Sequence, residues 1–152
     1  MLMTIHRSPI PITFHVLATT QTNHMLMVRG TREDGQEGWV LPHGQVPNGR
    51  CIILTAREVF EEATGCERSL SEVLAITPTT DEAGTLNGLT YVLDGGVLHD
   101  LPFHDPKEGA SWVPMRELYE PPALYQYAII ATGQRRRPPL LINTDRPEAA
   151  FI

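Results

Sequence analysis

Apolar and polar residues recur along this chain with two periods, one of strands and one of helices. Residues 12–20, ITFHVLATT, and 24–30, HMLMVRG, are short apolar runs separated only by QTN, the signature of a hairpin. A polar turn, TREDGQEG, then leads to Trp39 and a short strand-like WVLP, followed by the turn-rich GQVPNGR. From Ile52 the period changes. Ile52, Ala56, Val59, Phe60 and Ala63 fall on one arc of a helix, the spacing of a face pressed on a core. Gly65 suits the position just past its end. Two further strands are expected in EVLAITPTT (72–80) and LTYVLDGGVL (89–98), with turn signals in DEAGTLNG between them. A last strand, ASWVP (110–114), runs into MRELYE and then a helix within PPALYQYAIIATG, where Pro121 or Pro122 fits the first turn. Strands, helix, strands, helix is the order of an α/β (α+β) sandwich with a mixed sheet between helices.

Composition narrows the class. A chain of 152 residues is expected to fold as one domain, here residues 1–134, with an Arg/Pro-rich tail over 135–152 packed on it or extending from it. Hydrophobic (41%) and charged (20%) fractions are those of an ordinary globular protein, and no apolar run reaches the roughly eighteen residues needed to span a membrane. The formal charge of -6 argues against a general nucleic-acid binder, which needs basic surface. An acidic protein acting on phosphates needs metal ions between itself and its substrate. The two cysteines, Cys51 and Cys66, are poorly placed to bridge each other and are expected as reduced thiols of a cytoplasmic protein. The opening MLMTIHRSPIPI lacks the apolar core and cleavage site of a signal peptide.

The chemistry is concentrated on the polar side of the first helix, in R-E-x-x-E-E: Arg57, Glu58, Glu61 and Glu62. Residues three and four apart are neighbours on a helix, so the three carboxylates lie within a few Å of one another and repel. A hard divalent cation, Mg²⁺ or Mn²⁺, would explain the cluster, because such ions take carboxylate oxygens and keep waters for substrate phosphates to displace. Taken alone, a three-glutamate helix face is more often simply solvated surface. Arg57 and Glu61 form an i, i+4 pair in which the guanidinium can orient a carboxylate. No histidine or cysteine spacing matches a zinc site, and the Arg135, Arg136, Arg137 run reads as a solvated tail.

LPHG, then R-E-V-F-E-E, then Gly65 resemble the Nudix box, G-x5-E-x7-R-E-U-x-E-E-x-G-U with U aliphatic. The overall spacing from Gly44 to Gly65 is that of the box. Inside it, Arg50 stands where the family has its first glutamate, the R-E-V-F-E-E core lies one residue early, and His43-Gly44 replaces a double glycine. The resemblance implies a Nudix-like αβα sandwich and a hydrolase that cleaves a pyrophosphate bond in a nucleoside diphosphate derivative by metal-assisted attack of water. It implies that Glu58, Glu61, Glu62 and the Gly44 carbonyl are metal ligands, with Glu58 or Glu108 as general base and Arg57 as an orienting group. His104 and Asp105 lie in the same loop as Glu108 and are further candidates. Arg29 and Arg50 are candidates for holding substrate phosphate. Trp39, Tyr91, Phe103 and Trp112 are candidates for stacking on a base, although strand aromatics more often sit in a core. Arg50 leaves three consequences open: fewer metals, a direct phosphate contact, or a catalytically weak or inactive domain that binds a nucleotide or a protein partner. The expected partner is a small nucleotide-derived diphosphate, with no membrane and no nucleic acid, and many family members are dimers, so a homodimer is among the expected assemblies.

Overall fold

The structure is a computed structural model that describes residues 9–118 and 121–133. Its order is β1 (Ile12–Thr20), β2 (His24–Thr31), β3 (Glu37–Val40), β4 (His43–Gln45), α1 (Ile52–Thr64), β5 (Val73–Thr80), β6 (Leu86–Leu98), β7 (Ala110–Pro114), a 3₁₀ turn (Met115–Glu117) and α2 (Ala123–Thr132). Strands run β3-β2-β1-β6-β5 across the sheet, with β4 paired to β1 and β7 to β2. β1 and β6 are parallel, while β2, β3, β4, β5 and β7 pair antiparallel, so the sheet is mixed as expected.

Strand side chains alternate between two faces, and β1 shows what each face buries. Phe14, Val16 and Ala18 pack with Leu26, Val73 and Leu93 against Ile52, Ile53, Ala56 and Phe60 of α1. Leu17, on the opposite face, joins Met25, Met27, Leu74, Val92 and Val113 against Tyr125 and Ala128 of α2. Two helices on opposite faces of one mixed sheet make the αβα sandwich.

The structure moves several sequence-derived boundaries. The strand expected over 39–42 begins at Glu37 and ends at Val40, and β4 is an additional short strand inside the turn-rich stretch. β6 starts at Leu86, because Asp81 closes the preceding turn by accepting hydrogen bonds from the Ala83 and Thr85 amides at 2.9 Å. The buried face of α1 comprises Ile52, Ile53, Thr55, Ala56, Phe60 and Thr64, whereas Val59 and Ala63 are only partly covered. Thr64 is admitted to the core because its hydroxyl donates to the Phe60 carbonyl at 2.7 Å. Gly65 adopts the left-handed conformation (φ 75°) that ends a helix, and its amide donates to the Glu61 carbonyl at 2.7 Å. Cys51 and Cys66 are free thiols. No helix among the described residues is long and apolar enough to cross a membrane. The Arg135–Arg137 run and the tail lie outside the described residues.

Candidate functional site

Two features bear on function, and β4 borders the first and contacts the helix that carries the second. One is a cleft of about 700 Å³ on the α2 side of the sheet; the other is the exposed carboxylate face of α1. His43, the first residue of β4, lines the cleft, and its neighbour Gly44 continues toward α1. Gly44 sits opposite Phe14 across the β1–β4 pair, and a Cβ there would lie 2.8 Å from Phe14 Cζ, so the packing itself demands glycine.

His15 and Tyr125 line the cleft beside Val40 and Met27. The rings of His15 and His43 lie 5.6 Å apart, and Tyr125 meets His15 edge-on at 5.8 Å. His15 Nδ1 is buried without a hydrogen-bond partner among the described residues. Burial, reinforced by His43, holds the His15 imidazole down to about 4, so it is neutral at physiological pH. The Leu41 amide donates to the Tyr125 hydroxyl at 3.4 Å, and burial pushes that hydroxyl above the ordinary tyrosine range.

One wall carries the cleft's cations. Arg29 and Trp39 are directly opposed across β2 and β3, and the guanidinium carbon stands 4.4 Å over the indole. Arg32 is neutralised by Asp34 at 2.7 Å, whose carboxyl the Gln36 amide and then Arg32 hold below its usual range. Arg29 makes no ion pair among the described residues, which leaves its charge available to an anion. Pro121, Pro122, Leu118 and Leu124 add apolar lining to the same cleft. Of the four aromatics considered for stacking, Trp39 alone lines this cleft; Tyr91 and Trp112 pack on the α1 core, and Phe103 is fully exposed in its loop.

On α1, Glu58, Glu61 and Glu62 are all exposed. Glu58 is held by Arg50 rather than by a neighbouring helical arginine: Arg50 Nη1 lies 3.8 Å from Glu58 Oε2. Arg57 is half-buried and forms no ion pair with Glu61. The loop carrying Glu108 reaches the far end of the same helix. Lys107 donates from its ammonium to the Glu62 carbonyl and from its amide to the Thr64 carbonyl, both at 2.9 Å, satisfying carbonyls that a helix end leaves open. Two residues on, the Gly109 carbonyl accepts from the Arg29 amide at 2.9 Å. Glu108 therefore stands between the end of α1 and the strand that bears Arg29, with its side chain exposed, as are those of His104 and Asp105.

The donor set suits a hard cation in its chemistry, being carboxylates with a main-chain carbonyl at hand. As the side chains stand, no three His, Cys, Asp or Glu among the described residues are gathered closely enough to hold one. The glutamates are exposed, so gathering them costs up to about 2 kcal/mol of rotamer freedom for each side chain.

Sequence reasoning did not find His15, His43 or Tyr125. The available signal was a histidine placed in an otherwise apolar strand, at His15; His43 and Tyr125 come to it only through the pairing of β4 and the docking of α2.

No family model matches this chain, and no curated protein matches it. Among solved structures, a Nudix hydrolase from Nitrosomonas europaea is similar over 87% of this chain and 94% of its own, with a TM-score of 0.59 and 21% identity. The MutT protein of Methanosarcina mazei Go1 aligns over 83% and 95%, with a TM-score of 0.54 and 17% identity. The Nudix domain of Shewanella oneidensis NrtR, solved with ADP ribose, aligns over 83% and 86%, with a TM-score of 0.56 and 15% identity. At identities this low the likeness is one of architecture, and it establishes that this chain has the Nudix fold.

Proposed function

We propose that this protein is a hydrolase that cleaves the pyrophosphate bond of a nucleoside diphosphate derivative. The observation that carries the reading is the presence together, within the Nudix fold, of a cleft on the α2 side of the sheet and an exposed three-carboxylate face on α1. Glu58, Glu61, Glu62 and the Gly44 carbonyl would hold Mg²⁺ or Mn²⁺, which supplies Lewis acidity toward phosphoryl oxygens and lowers the pKa of water. In the cleft, the Arg29 guanidinium binds the anionic part of the substrate, and the indole it covers keeps it extended. Neutral His15 lines the cleft without adding charge to it. Glu108, anchored through Lys107 and Gly109, takes the proton from the attacking water. Arg57 screens the mutual repulsion of the α1 carboxylates. ADP ribose, bound by one structural neighbour, belongs in the first substrate panel.

A second reading is favoured by one specific observation. Arg50 engages Glu58, and no three ligands are gathered among the described residues, which suits a domain that binds a nucleotide diphosphate without cleaving it. Conversion of ADP ribose, nucleoside diphosphate sugars, dinucleoside polyphosphates and coenzyme A into their two phosphate-bearing halves, followed chromatographically with and without Mg²⁺ or Mn²⁺, separates the two. The hydrolase reading expects metal-dependent turnover on at least one substrate, abolished in Glu62→Gln. Binding of a nucleotide without turnover of any would establish the second reading instead.

A further inference from the structure

Arg50 does more than interrupt the glutamate pattern. The PNGR turn places it: Gly49 takes φ +77°, the Arg50 amide donates to the Pro47 carbonyl at 3.1 Å, and α1 starts two residues later. In the sequence Arg50, Leu54, Glu58 and Glu62 are spaced four apart. The Arg50 side chain reaches Glu58, with Nη1 at 3.8 Å from Oε2. Both side chains are about two-thirds exposed (64% and 69%), so the pair adds little to folding. Its consequence is local. A guanidinium stays protonated at every working pH, so it is a permanent cation at the carboxylate a divalent ion would share.

We propose that Arg50 is a built-in competitor of the metal. It occupies Glu58 in the free protein, weakens the affinity of the α1 face for a divalent cation, and must swing away when the ion is taken up. The proposal rests on the metal-binding role of the α1 carboxylates given above. Two forces act together: Arg50 screens Glu58, and its charge repels an approaching dication at a separation short enough for screening by salt to be incomplete.

The test is the affinity for Mn²⁺ alone, read by the loss of the free-ion electron paramagnetic resonance signal, in the full chain without substrate. Arg50→Ala is expected to bind Mn²⁺ several-fold more tightly than the parent, and Arg50→Glu at least tenfold more tightly, since it changes the local charge by two units. Arg50→Lys should stay near the parent. The gain must vanish when Glu58→Gln is combined with Arg50→Ala. Parent-like affinity in both Arg50→Ala and Arg50→Glu overturns the proposal, as does a gain that survives Glu58→Gln. If no variant binds Mn²⁺, the metal role of α1 falls along with it. If affinity rises as expected while no nucleotide is cleaved by any variant, the competitor stands and the hydrolase reading falls.

Discussion

His15→Leu tests whether the histidine under the cleft is carried uncharged. In the folded chain burial holds the imidazole down to about 4, against 6.5 when unfolded. Between those values the unfolded chain takes up a proton that the folded chain refuses, so this group makes stability fall as pH falls from 6.5 toward 4, and costs nothing of this kind above 6.5. At one pKa unit per about 1.4 kcal/mol the full loss is about 3 kcal/mol, and about 2 kcal/mol by pH ~4.5 once the imidazole's residual opening to the cleft is allowed for. Leucine fills a similar volume, leaves no unpaired Nδ1 and cannot titrate, so the variant should match or slightly exceed the parent at neutral pH. Urea unfolding of both proteins across this range gives the difference directly, because the carboxylates that also titrate there are common to both and cancel. A parent that loses no more stability than the variant on acidification would refute the buried neutral imidazole.

Phe60, 1% exposed at the centre of the α1 contact, should cost about 3–5 kcal/mol when replaced by alanine. Leu54→Ala on the same helix, at a side chain 45% exposed, should stay within about 0.5 kcal/mol in the same denaturation assay. Gly44→Ala drives a methyl to 2.8 Å from Phe14 Cζ and is expected to cost about 1–3 kcal/mol. Combined with Phe14→Leu it should cost less than the two changes summed, and strict additivity would show that the ring does not cause the strain.

The sandwich was legible in the residues because strand and helix periods are local properties of the chain. β1 begins and ends where its apolar run does, and α1 runs from Ile52 to the residue before Gly65. The carboxylate face of α1 was equally plain, since helical spacing alone makes Glu58, Glu61 and Glu62 neighbours. Arg50 was recognisable as a cation in a carboxylate's place, but its grip on Glu58 depends on how the turn before α1 aims it. The cleft was not legible at all. His15 and His43 are far apart in sequence and meet only because β4 pairs with β1; Tyr125 arrives from α2, and Trp39 receives Arg29 through the β2–β3 register. Periodicity determined which residues form helix and strand and which of their faces are polar. Strand order and register, set by long-range pairing and core packing, decided which of those polar groups share a site.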